Sequence, residues 1–78
     1  MPISRGEALA AGKKLLRTFD SAPEPRRQAR ALYAELARAA GWTTAETRHI
    51  EAFGEWLVTL PSVSELKPRC GALLAQLR

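Results

Sequence analysis

The clearest helical pattern in this chain is the stretch 25–42, PRRQARALYAELARAAGW. Its apolar residues recur three and four positions apart and form one stripe, made of Ala29, Leu32, Tyr33, Leu36, Ala37 and Ala40. Pro25 suits the first turn of a helix, because the amide hydrogen that it lacks would have no partner there. Gly41 suits the left-handed position just past a helix end, and Trp42 suits the apolar contact that often follows. We therefore predict a helix over about 25–40.

Two further helices are predicted on either side of this stretch. Ser4 and Thr43 each stand three positions before a glutamate, which is the spacing of a capping box at a helix start. The prolines that follow each apolar stripe end the helices, so we expect them to cover about 5–19 and 44–59. In the second of these helices the spacing predicts an inward-facing stripe of Ile50, Phe53, Leu57 and Leu60.

The last segment has two interpretations. Its apolar residues keep helical spacing throughout, but Pro68 disfavours helical backbone at the residue before it. We predict a turn over 62–66 followed by a fourth helix over about 68–77. A single bent helix from Ser64 is the alternative.

These elements predict an all-α protein, a small compact bundle of three to four helices that forms a single helical domain over residues 1–78. A length of 78 residues leaves room for one core. No apolar run approaches the roughly 20 residues that span a bilayer, and the first residues lack the apolar stretch of a signal peptide. The chain has one cysteine, which excludes an internal disulfide. We therefore expect a cytoplasmic protein that does not bind a membrane.

The inventory of reactive side chains argues against an enzyme. Catalysis and metal binding need groups that converge in space. The chain has one histidine, His49, and one cysteine, Cys70, and they fall on different predicted helices. Cys70 lies on an apolar stripe, which is typical of a buried thiol. We expect no catalytic residue, no metal and no cofactor.

Positive charge is concentrated in the first half of the chain. The net charge is +4, and the basic excess lies entirely before Trp42. If the first two helices form an antiparallel hairpin, six basic residues meet at one end of the molecule. We call this predicted cluster the basic tip: Lys13, Lys14, Arg17, Arg26, Arg27 and Arg30. Such a cluster is expected to bind an acidic protein surface or phosphate groups.

Residues 36–50 resemble the helix-turn-helix motif of bacterial and phage DNA-binding proteins. The resemblance rests on five residues, Ala37, Gly41, Trp42, Thr43 and Ile50. In that family the second helix of the motif lies in the major groove and its first turns read bases. The resemblance therefore implies that DNA would face Thr43, Thr44, Ala45, Arg48 and His49.

Three functional hypotheses follow from the sequence. The leading one is a non-catalytic regulatory or inhibitor protein that binds another protein, which we expect to have an acidic surface. In size the chain is similar to accessory factors of phages and mobile elements, anti-CRISPR inhibitors included. The alternative is a helix-turn-helix transcriptional regulator that binds DNA, and self-association into a homodimer is a further one.

Overall fold

The structure is a computed structural model that describes residues 3–77, and these residues form a bundle of four α-helices. The helices are α1 (Arg5–Arg17), α2 (Pro25–Ala37), α3 (Thr44–Val58) and α4 (Val63–Gln76), and a short 3-10 helix, Phe19–Ser21, follows α1. The predicted all-α bundle is confirmed. Within the described residues, extended pairing is limited to one isolated bridge between Ser4 and Ala40. None of the four helices has the length and apolar character needed to cross a membrane.

Both predicted capping boxes are present. The Ser4 hydroxyl accepts a hydrogen bond from the Glu7 amide at 3.2 Å. At the start of α3, the Thr43 hydroxyl accepts from the Glu46 amide at 3.1 Å, and the Glu46 carboxylate accepts from the Thr43 amide at 2.9 Å. The starts of α1 and α3 thus follow from local sequence alone.

Helix α2 ends at Ala37, three residues before the predicted end at residue 40. Two contacts with more distant residues draw the chain out of the helix. The Ala40 amide donates to the Ile3 carbonyl at 3.0 Å, and the Trp42 indole donates to the Leu36 carbonyl at 2.8 Å. The expected left-handed backbone at Gly41 is confirmed by its φ of 96°.

The last segment was predicted wrongly. It is one continuous helix from Val63 to Gln76, with Pro68 inside it. A proline within a helix loses the hydrogen bond of its own nitrogen. The helix continues because Leu66 and Cys70, on either side of Pro68, are both completely buried. The alternative of a single helix is therefore correct, and its start lies one residue earlier than Ser64.

The core lies between the four helices, and Leu32, Leu36, Leu66, Cys70 and Leu77 are its largest fully buried side chains. Ile50, Phe53 and Leu57 face inward as predicted, but Leu60 does not and is 62% exposed. Because α3 ends at Val58, Leu60 lies beyond the helix and loses the helical phase that the prediction assumed.

Candidate protein-binding groove

An open groove lies between the start of α2 and the segment that links α3 to α4. Its volume is about 610 Å³. We call it the α2 groove, and its lining residues are Glu24, Pro25, Arg26, Arg27, Arg30, Leu60 and Val63. Three arginines and one glutamate give these residues a net charge of +2. The groove therefore combines positive charge with exposed aliphatic side chains.

The arginines of the groove are held loosely by their own chain. The Arg26 guanidinium donates to the Pro61 carbonyl at 3.2 Å, which ties the start of α2 to the linker. Arg27 lies 3.4 Å from the Glu24 carboxylate, but both side chains are mostly exposed, so this ion pair contributes little stability. Within residues 3–77, no carboxylate lies within 4 Å of Arg26 or Arg30. Their positive charge is therefore free to meet an external anion.

The backbone at the start of α2 adds to this positive potential. The amide groups at a helix N-terminus carry partial positive charge. Glu24, the N-cap residue, makes no side-chain capping bond, and the first turn contains no acidic residue. Basic side chains in this position are unfavourable by about 0.3–1 kcal/mol each. Within the described residues, the bond from Arg26 to Pro61 and the exposed pair of Arg27 with Glu24 are the contacts that offset this cost.

Aliphatic side chains form the other half of the surface. Val58 is 79% exposed, Leu60 62% and Val63 49%, and these are the large apolar side chains that the described chain leaves exposed. Val58 and Leu57 line a neighbouring hollow together with Arg30 and Tyr33. Since Arg30 also lines the α2 groove, the two depressions are neighbours on either side of this residue, and the aliphatic residues line them together with the arginines.

Leu60 has an unfavourable backbone as well as an exposed side chain. Its φ is 55°, in the left-handed region that glycine and asparagine adopt most readily. For other residues this conformation costs roughly 1–2 kcal/mol. Left-handed backbone is common just past a helix end, and the Leu60 amide donates there to the Leu57 carbonyl at 3.2 Å, so this conformation serves to end α3. Glycine or asparagine would end the helix with less strain, so the exposed leucine side chain is the feature that helix termination leaves unexplained.

The α2 groove contains half of the predicted basic tip, its three residues on α2. Helices α1 and α2 pack against each other, and the Gln28 side chain donates to the Leu15 carbonyl and the Thr18 hydroxyl, both at 3.0 Å. Gln28 therefore marks the side of α2 that faces α1, while Arg26 and Arg30 contact the linker and α3. The three basic residues of α1 are exposed but do not line the α2 groove; they are Lys13, Lys14 and Arg17.

The residues implied by the helix-turn-helix resemblance lie at the other end of the bundle. Thr43, Thr44, Arg48 and His49 are all exposed around the start of α3. Arg26 touches Pro61, beyond the end of α3. With 15 residues in α3, the two places are separated by roughly 22 Å along the helix axis. The arginines and the DNA-reading candidates thus form separate surfaces.

Two further features depart from the helix-turn-helix pattern. The segment between α2 and α3 covers residues 38–43, whereas the motif joins its helices by a turn of about three to four residues. Ala37 and Thr47 are exposed instead of packing between the two helices. Ile50 is buried, as the resemblance implies.

The end of the bundle that holds the start of α3 is closed by internal contacts. The Arg5 guanidinium lies 2.6 Å from the Glu46 carboxylate and also donates to the Leu77 carbonyl. It lies over the Trp42 ring, 5.4 Å from the ring centroid. The hydrogen bond from Arg5 and that from the Thr43 amide lower the pKa of Glu46 from 4.5 to about 2. One arginine thus links the starts of α1 and α3 to the end of α4.

The sequence-based prediction missed two of these features. It placed Leu60 in the core and assigned no role to Val58 or Val63. The helix end set by Pro61 is the signal that could have moved Leu60 to the surface. The pairing of Arg5 with Glu46 joins residues 41 positions apart, so local spacing could not reveal it.

The two reactive side chains considered in the sequence lie in different environments. Cys70 is completely buried, and burial raises the pKa of its thiol to about 11. It is therefore protonated at neutral pH. His49 is exposed and lines a separate hollow with Arg69, whose guanidinium lies 4.6 Å from the centre of the Trp56 ring. In residues 3–77, no group of three histidine, cysteine or acidic side chains is arranged to hold a metal ion.

Comparison of the chain with protein-family models, with curated proteins and with solved structures gives no match.

Proposed function

We propose that this chain is a non-catalytic regulatory or inhibitor protein that binds another protein through the α2 groove. Its size is that of the small accessory factors that phages and mobile elements use in this way. The carrying observation is the exposed aliphatic surface of Val58, Leu60 and Val63 beside three arginines. This combination fits a protein interface, where arginine is enriched and the buried centre of the patch is more apolar than the rest of the surface.

The groove favours a protein over DNA as the partner. A duplex offers phosphates to the arginines, but its sugar–phosphate backbone offers little apolar surface to cover the aliphatic residues. The bases would have to be read by the start of α3, which lies at the far end of that helix. Outward-facing Glu51 and Glu55 on α3 would also repel phosphates. DNA binding remains the second hypothesis, on the helix-turn-helix resemblance alone.

Site-specific photo-crosslinking tests the proposal. A benzoylphenylalanine placed at Leu60 in cells that normally produce the chain should crosslink to a distinct protein. The same probe at Ala75, an exposed residue near the end of α4, is the matched control and should give no such product. The crosslinked partner is then identified by mass spectrometry. Crosslinks to nucleic acid, or the same products from both positions, would contradict the proposal.

The DNA hypothesis has its own test. Phosphate contacts are strongest at low salt, so a protein that reads the major groove of DNA should be retained on duplex DNA at about 50 mM salt. Replacing Thr44 and Arg48 together by alanine should then abolish any preference for sequence. Under the protein-binding proposal we expect weak retention at this salt concentration and no effect of the double substitution.

A further inference from the structure

We infer that the α2 groove binds an acidic segment of the partner, one that places aliphatic side chains beside carboxylates. This inference rests on the proposed function and gives the chemistry of the partner. It follows from the two halves of the groove, because the charged half and the apolar half bind different kinds of side chain.

The charged half requires carboxylates. Arg26 and Arg30 have no carboxylate of their own chain within 4 Å among the described residues, and Arg27 has only its exposed pair with Glu24. A guanidinium donates two parallel hydrogen bonds to a carboxylate, which is a specific and strong arrangement. The positive end of α2 adds to the attraction for an anion. A segment with two or three acidic residues would neutralise the groove.

The apolar half requires aliphatic side chains at the same place. Val58, Leu60 and Val63 lie next to the arginines, so a purely polar ligand would leave them in water or strip them of water without apolar contacts in return. Covering these side chains contributes roughly 25 cal/mol for each square ångström of apolar surface removed from water. The partner segment must therefore alternate or interleave carboxylates with aliphatic residues.

A second copy of this chain does not meet these demands. In a twofold dimer the same patch of each copy faces its partner. Two grooves with a net charge of +2 would then meet, and like charges across an interface are strongly unfavourable. A single-stranded nucleic acid would need exposed aromatic rings for its bases to stack on. The aromatic ring beside the groove, Tyr33, packs against Gly54, where an added Cβ would lie 2.6 Å from it.

Peptide selection tests this chemistry without knowledge of the partner. A displayed library of random 16-residue peptides is selected on the wild-type chain. We expect the enriched peptides to carry a net negative charge and at least two aliphatic residues. One enriched peptide is then synthesised with a fluorescent label, and its affinity for the chain is measured by fluorescence anisotropy.

Matched charge reversals locate the binding site. Replacing Arg26 and Arg30 together by glutamate should lower the affinity of the chain for the labelled peptide by about 30-fold or more. The loss is this large because favourable contacts that are partly desolvated become repulsive. Replacing Lys13 and Arg17 by glutamate makes the same change in charge on α1 and should weaken it by less than about 3-fold, through long-range attraction alone. Circular dichroism and urea unfolding check that both variants are folded.

Leu60→Asn supplies a second variant that does not change the charge. Asparagine suits the left-handed backbone and lacks the aliphatic side chain. This variant should therefore remain folded and bind the labelled peptide with an affinity lower by about 10-fold.

Several outcomes would overturn the inference. They are enrichment of neutral or basic peptides, no enrichment, and equal weakening by the two charge reversals. Displacement of the peptide by duplex DNA at physiological salt would assign the groove to nucleic acid. A dimer in solution that Leu60→Asn dissociates would assign it to a second copy. The proposed function is tested separately, because crosslinking at Leu60 reports a protein partner of any charge.

Discussion

The arginines at the two ends of the bundle differ in how many contacts they make with their own chain. At one end, Arg5 is surrounded by its own chain: it pairs with Glu46, donates to the Leu77 carbonyl and covers the Trp42 ring. At the other end, Arg26 makes one hydrogen bond to a linker carbonyl and Arg30 has no carboxylate within 4 Å in the described part of the chain. We call these the closed end and the open end.

The two ends differ in how far their charged side chains are neutralised by the chain itself. The carboxylate of Glu46 is 11% exposed and is satisfied by the side chain of Arg5 and the amide of Thr43. At the open end the side chains of Glu24 and Arg27 are 65% and 85% exposed, and water screens their attraction. The exposed aliphatic side chains of Leu60 and Val63 also lie at the open end.

Exchanging one arginine at each end for methionine should give the largest contrast. Methionine keeps most of the apolar stem and removes the charge. Arg5→Met leaves the Glu46 carboxylate without its guanidinium and the Leu77 carbonyl without its donor, so we expect a large fall in the midpoint of urea unfolding. Arg26→Met should change that midpoint several times less. Equal midpoints for the two variants would remove the distinction between the ends.

Acid should destabilise the protein through the closed end, where folding lowers the pKa of Glu46. The folded pKa of Glu46 is about 2, below its ordinary value of 4.5, because Arg5 and the Thr43 amide stabilise the carboxylate. The unfolded chain therefore binds this proton more readily. The stabilisation is complete above pH 4.5 and is lost as the pH falls towards 2. Urea unfolding of Glu46→Gln over this range should show a weaker loss than the wild type, and parallel curves would contradict the assignment.

Leu60→Asn should change stability little, although it removes a leucine. Asparagine adopts the left-handed backbone more readily, and the lost side chain is 62% exposed. We expect the free energy of unfolding to stay constant or to rise by up to about 1 kcal/mol. Leu57→Ala, three residues earlier at a position 8% exposed, is the matched control and should cost about 2–5 kcal/mol. A comparable loss in Leu60→Asn would place Leu60 in the core.

The smallest effect should come from the exposed ion pair of the open end. Arg27→Ala removes the 3.4 Å contact with Glu24. Exposed pairs of this kind contribute about 0–1 kcal/mol, and the change also removes an unfavourable charge from the start of α2. We expect the free energy of unfolding to remain within about 0.5 kcal/mol of the wild type. A larger loss, measured by urea unfolding, would mean that the open end also depends on internal ion pairs.

The sequence predicted the parts of the fold that depend on neighbouring residues. The capping boxes at Ser4 and Thr43 and the apolar stripes located the helices, because both involve residues within four positions of each other. The end of α2 and the path of α4 depend on distant contacts: the bond from Ala40 to Ile3, and the burial of Leu66 and Cys70 around Pro68. These could not be derived from local spacing.

The candidate site was predicted only in its charged half. Arg26, Arg27 and Arg30 were recognised because basic residues at a helix start are locally unfavourable. The aliphatic half was missed because a leucine in helical phase is ordinarily inward, and only the end of α3 at Val58 turns Leu60 to the surface. Which side of α2 each basic residue occupies depends on how α1 and α3 pack around it.

The contact of Arg5 with Leu77 brings the two extremities of the described chain together. A short peptide joining residue 77 to residue 3 would therefore close the backbone into a ring with little distortion, and new ends could be opened elsewhere. Opening the ring between Pro61 and Ser62 would keep all four helices but sever the covalent link between Leu60 and Val63. Such a permuted protein would make assembly of the α2 groove dependent on helix packing alone.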